Sequence, residues 1–297
     1  MTTVIERDTV IPTEDGRELA GRWFEPASDP VGVVVIAPAM ATPGRFYRSF
    51  ATWLSEQGLR TLTFDLRGVG GSARGHVRAE SADMLRWAGD AAAALRHARD
   101  HADGLPISWV GHSLGGQVLP FVDHEDLAGA VLVATGSGYW RLAPPRLRRT
   151  VPLLWYAVAP VTSRLLGYFP GRRLRMVGDL PAGVMLQWAR WCRHPDYIAS
   201  ESVEVRERFA TVRTPIVALA FTDDSMMSRG SLDSLLRWYR RTTPRVVESS
   251  PEDLGVGPIG HFGLFRSGSR PLWDTLVLPH LATTHAPARP VPAGPGQ

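Results

Sequence analysis

The run GVVVIAPAM, starting at residue 32, is apolar without alternation, as expected of a strand covered on both faces. Further strands are predicted at LRTLTF (59–64), ISWV (107–110), GAVLVA (129–134) and TPIVALA (214–220), with RVVESS at 245–250 as a last one. Between them the apolar positions change period. Phe46, Phe50, Trp53 and Leu54 fall at helical spacing within 45–57, and residues 81–101 are alanine-rich and amphipathic. SLDSLLRWYRR and the stretch 114–122 also read as helix. Ahead of the first buried run, TVIPTEDGRELAGRWFEP sets two extended segments around a Glu-Asp-Gly turn, the pattern of a hairpin. Alternating strand and helix predict an α/β fold whose mostly parallel sheet is covered on both sides.

The alternation stops near Gly138 and resumes at 214. Residues 138–205 are therefore expected to form a helical insertion, with 1–137 and 206–284 as the core and the proline- and glycine-rich 285–297 as a disordered tail. The insertion carries Trp140, Trp155, Trp188 and Trp191, four of the ten tryptophans. Residues 138–200 also hold ten arginines against two acids, Asp179 and Asp196, in a chain of net charge +4, so the remainder is net acidic. Its most apolar segment, VPLLWYAVAPVTSRLLGYF, is interrupted by Pro152, Pro160 and Arg164, whereas a membrane span needs about 20 nearly unbroken apolar residues. It reads as a buried or lid helix.

With 297 residues, 44% hydrophobic and 21% charged, the chain can bury a substantial core. Its 33 basic residues are all arginine and widely spread, with no nucleic-acid reading motif, so the high isoelectric point does not imply a nucleic-acid partner. The first thirty residues are acidic and lack a sustained apolar stretch, so no secretory leader is expected and the default location is cytoplasmic. The single cysteine, Cys192, excludes an internal disulfide and a multi-cysteine metal site, and reads as a packing residue. No histidine pair has metal-ligand spacing, and neither a metal nor another cofactor is expected.

One stretch points to chemistry. In ISWVGHSLGG, Ser113 follows a predicted strand and precedes a predicted helix, with Gly111 and Gly115 two places to either side. A serine nucleophile at a strand end must sit on a turn so tight that small flanking residues are needed for strand and helix to approach. A helix starting at Leu114 would aim its free N–H groups at the charge that develops during acyl transfer.

With this motif the chain resembles the α/β-hydrolase superfamily from about Thr9 to Leu281. The resemblance implies a nucleophile, an acid and a base in that chain order. The acid should follow the strand after the insertion, where FTDDSMMS offers Asp223 and Asp224; the usual loop spacing favours Asp224. The base should follow the last strand, where His261 lies in GPIGHFGLF. His112 adjoins the nucleophile, and neighbouring side chains at a strand end point apart, so it is not expected to be the base. The oxyanion hole would use the N–H of Leu114 and a second donor after GVVVIA. Many members have His-Gly there, but this chain has Pro38, Ala39 and Met40, leaving Ala39 and Met40 as candidates. Asp65 and Arg67, in FDLRGVGGS, are expected to brace that loop. More narrowly, SGYW at 137–140, LPAGVMLQWARWC at 180–192 and IGHFGLFR at 259–266 look like a bacterial group of predicted hydrolases related to serine aminopeptidase-like and lysophospholipase-like enzymes.

These residues imply a serine hydrolase of esters, thioesters or small amides. Acyl transfer by the same triad and a non-catalytic binding protein of the same fold are the alternatives. Trp140, Trp188 and Trp191, close in sequence to arginines, are expected at the pocket for a small acyl substrate, which an arginine could select for a negative group; the competing expectation makes the aromatics core and the arginines a solvated face. The oligomeric state is open.

Overall fold

The computed structural model of the protein describes residues 4–282, so the tail expected at 285–297 lies outside the described residues. The chain opens with the predicted hairpin, β1 (Ile5–Pro12) and β2 (Glu18–Glu25), paired antiparallel. There follow β3 (Gly32–Ala37), α1 (Arg48–Glu56), β4 (Leu59–Phe64), α2 (Met84–Asp100), β5 (Ile107–His112), α3 (Leu114–Gln117) and β6 (Leu127–Val133). Next come α4 (Pro145–Arg148), α5 (Val151–Leu153), α6 (Ala159–Leu166), a two-residue ladder of β7 (Tyr168–Phe169) with β8 (Leu180–Pro181), α7 (Ala182–Cys192) and α8 (Val203–Thr211). The alternation then resumes with β9 (Ile216–Phe221), α9 (Arg229–Leu236), β10 (Arg245–Ser249) and α10 (Arg270–Leu276).

Eight strands form one sheet in the order β1-β2-β4-β3-β5-β6-β9-β10. From β4 to β10 all neighbours are parallel, and only the β1–β2 and β2–β4 pairs are antiparallel. Every residue of β3 and β5 is buried, because helices cover both faces. Val33 and Val35 face one apolar cluster and Val34 and Ile36 the other, which explains why this strand reads as a continuous apolar run. β6 and β9 are neighbours in the sheet, and the residues between them add no strand to it. That intervening segment is mainly helical, and α8 spans the boundary expected at 205.

The helix expected over 114–122 is shorter. It ends after Gln117, and a separate 3₁₀ turn spans Leu119–Phe121. Pro120 has no N–H to continue an α-helical ladder, and Gly115 and Gly116 contribute little helical preference.

Candidate active site

Ser113 sits where β5 turns into α3, with φ 52° and ψ −110°, a left-handed backbone that a residue bearing a Cβ rarely adopts. The surrounding packing enforces it. A Cβ on Gly115 would lie 2.1 Å from the Ala37 carbonyl oxygen, and one on Gly111 would lie 2.5 Å from that of Gly115. The turn is pinned from three sides: Ser113 N–H donates to the Val133 carbonyl at 2.9 Å, Thr135 Oγ1 donates to the Ser113 carbonyl at 2.8 Å, and Trp109 Nε1 donates to Gly115 at 3.0 Å.

After β9, Asp223 and Asp224 separate by function of their partners. Asp224 Oδ2 accepts from His261 Nδ1 at 2.9 Å, and its Oδ1 accepts from the N–H groups of Met226 (2.7 Å) and Met227 (3.0 Å). Both members of the His261–Asp224 pair are buried. With Nδ1 committed as a donor, neutral His261 has its lone pair on Nε2. Asp223 turns elsewhere: its Oδ2 accepts from the N–H groups of Ile259 (2.8 Å) and Gly260 (2.9 Å), fixing the loop that carries the histidine.

His112 and Tyr47 complete a network that sequence reasoning missed. His112 Nε2 meets the His261 carbonyl at 2.9 Å, and a carbonyl only accepts, so Nε2 carries the proton. Nδ1 then accepts from Tyr47 O–H at 2.8 Å, while Tyr47 Oη accepts from the Ala39 N–H at 2.8 Å. Burial first, and the adjacent His261 second, hold the His112 pKa down to about 3, so the ring stays neutral. Burial also pushes the Tyr47 phenol up, keeping it protonated. The chain of bonds ties the loop after β3 and the histidine loop to the residue before Ser113. Residues 47, 112 and 261 are too far apart in sequence for any periodicity to reveal it.

The same network separates the two oxyanion candidates. Ala39 spends its N–H on Tyr47, whereas the Met40 N–H, like that of Leu114, has no acceptor among the described residues. Asp65 does hold this region, accepting from Gly44 at 2.5 Å and Gly71 at 2.6 Å. Arg67 does not. It forks onto Asp90 of α2 at 2.5 and 2.8 Å and reaches Asp15 of the hairpin turn at 2.6 Å, because the fully buried Asp90 carboxylate requires a counter-charge.

A cavity of about 420 Å³ lies between the inserted helices and the Asp–His loops. Met226, Met227 and Phe262 form its wall on the side of the loops, and Trp140, Trp155 and Trp188 face it from the insertion. Trp191, expected there, is not in the lining; it is buried against Tyr197, and its indole N–H donates to Glu201. Cys192 lines the cavity as a buried thiol whose pKa is raised by burial. Of the ten inserted arginines only Arg175 contributes to the lining, so the expected charge selection rests on that residue alone. Among the described residues no three His, Cys, Asp or Glu side chains are grouped to hold a metal ion.

The profile of a family described as serine aminopeptidase, S33, matches residues 28–182, slightly more than half of the chain. No curated protein matches. Among solved structures, that of DcsB in complex with its substrate analogue is 16% identical with a TM-score of 0.63, covering 91% of this chain and 97% of that one. A soluble variant of monoglyceride lipase from Saccharomyces cerevisiae is 15% identical with a TM-score of 0.59, over 83% and 87% of the two chains. A thermostable carboxyl esterase from Bacillus coagulans is 14% identical with a TM-score of 0.58, over 84% and 91%. At these identities the likeness speaks for the fold alone. By fold and by the family profile together, this chain belongs to the serine aminopeptidase S33 family of α/β-hydrolases.

Proposed function

We propose that the protein is a serine hydrolase that cleaves a carboxylic ester, thioester or small amide through an acyl-enzyme. Ser113 Oγ attacks the carbonyl, His261 Nε2 takes its proton and returns it to the leaving group, and Asp224 orients the ring and stabilises the imidazolium. A water activated by the same histidine then releases the acyl group. The N–H groups of Leu114 and Met40 receive the oxyanion, an interaction worth about 10² to 10³ in turnover per donor in enzymes of this kind. The observation that carries the reading is the backbone of Ser113, held at φ 52° on a turn that glycine packing makes obligatory. Strained backbone of that kind clusters at active sites, and here it falls between the strand end and the helix that carry the motif.

The inserted helices act as a cap over the site, and their cavity supports a neutral, apolar acyl group. Its walls are mostly tryptophan, methionine, leucine, valine and phenylalanine, with Ser137, Tyr139, Cys192 and Ser231 among them and the exposed Arg175 as the one charged side chain. In a p-nitrophenyl ester series, kcat/KM is expected to rise about fourfold per added methylene, the equivalent of ~0.8 kcal/mol, until the cavity is filled. Esters of equal length ending in a carboxylate should be turned over more slowly. A flat series, or preference for the anion, would contradict this acyl-group assignment.

A further inference from the structure

The inserted helices present a second apolar surface, on the side away from the cavity. Of the ten large hydrophobic side chains exposed among the described residues, six that do not line the cavity lie between Leu153 and Leu174, under a tenth of the chain. Residues 151–166 run as one helical stretch, in which α5 and α6 are joined by a π-helical turn, Leu154–Val158. Its inward positions, Val151, Leu154, Trp155, Ala159 and Ser163, are buried. On the outward side Leu153 is 67% exposed, Val161 52% and Leu165 80%. A helix on a protein surface ordinarily turns polar residues outward, so one with apolar residues on both sides has an uncovered face.

The charges around that face identify what covers it. Arg146, Arg148, Arg149, Arg164 and Arg173 are exposed and have no carboxylate partner among the described residues. Of the inserted arginines, Arg172 and Arg190 do meet carboxylates, Asp179 and Glu201. A second copy docking symmetrically by this face would bring two unpaired arginine sets together, which is repulsive. A nucleic acid would leave the apolar side chains uncovered. We propose that the outward face of residues 151–166, with its flanking arginines, docks on an anionic lipid surface. Leu153, Val161 and Leu165 enter the acyl boundary and the guanidinium groups pair with headgroup phosphates, as in interfacial helices that lie in the membrane plane without crossing it. Among the described residues no helix is long and apolar enough to cross a membrane, which leaves surface docking as the mode. Because Val151, Leu154 and Trp155 line the cavity from the inner face of the same stretch, docking would set the cavity one helix away from the lipid.

The test uses the full 297-residue chain and sedimentation with vesicles of phosphatidylcholine alone or of equal parts phosphatidylcholine and phosphatidylglycerol. Partition into the mixed vesicles is expected to exceed that into the neutral ones by about tenfold or more and to fall with added salt. Combined Leu153→Ser, Val161→Ser and Leu165→Ser should lower it by about tenfold or more, as should combined Arg148→Gln, Arg149→Gln and Arg164→Gln. These residues are exposed and outside the cavity, so both variants should keep wild-type unfolding midpoints and turnover of a soluble ester. Equal partition into both vesicle types, partition indifferent to salt and to both variants, or a concentration-dependent dimer abolished by the serine set would overturn the proposal. Binding is read without catalysis, so a wild-type protein that sediments but turns over no ester upholds the surface and refutes the hydrolase reading.

Discussion

Asp223 and Asp224 are adjacent in sequence, yet one carboxylate meets an imidazole and the other meets two backbone N–H groups. Asp224→Asn cannot hold the imidazolium, and kcat is expected to fall by about 10⁴. Asp223→Asn keeps an oxygen that can accept from Ile259 and Gly260, so activity should stay within about tenfold of wild type. Steady-state kinetics of the two variants check this, and the reverse order would exchange the assignments. His112 makes a separate prediction about stability. Its folded pKa, about 3, lies below the ordinary 6.5, so between those values the unfolded chain binds a proton that the folded chain does not. The folded state therefore loses stability as pH falls through that window. In His112→Asn, the urea midpoint should decline less steeply between pH 6.5 and 3 than in wild type; parallel profiles would count against a buried neutral imidazole. At this scale the sequence was informative where chemistry is local. The glycines around Ser113 foretold its tight turn, and the place after a strand narrowed the partner of His261 to Asp223 or Asp224, but Tyr47 and Arg67 find their partners only through the tertiary fold.

Among the elements, strands buried on both faces were the most legible, since β3 has no exposed side to interrupt its apolar run. The short elements were not. α3 was over-extended because apolar residues continue to Val122 while Pro120 breaks the hydrogen-bond ladder, and Trp191 was misplaced because one side of α7 faces the cavity while Trp191 packs on another. The link between hairpin and α2 illustrates what periodicity omits: Arg67 joins Asp15 in the β1–β2 turn to the buried Asp90 in α2. Arg67→Met would leave the Asp90 carboxylate buried and unpaired, with an expected loss of about 3–5 kcal/mol in chemical denaturation. A loss under about 1 kcal/mol would mean that the pair is dispensable to the fold.

Across the whole molecule, the sheet brings three distant stretches to one end of its parallel strands, where ligand sites of α/β folds are found. The helical segment between β6 and β9 encloses a cavity together with the loops that follow β9 and β10. The central claim at this scale is that the whole arrangement serves one nucleophile. Its most direct test is a tagged fluorophosphonate applied to the folded wild type and to Ser113→Ala, with the labelled peptide located by mass spectrometry. A single adduct on Ser113 that is absent from the variant is the predicted result; no adduct, or equal labelling of both proteins, would contradict it.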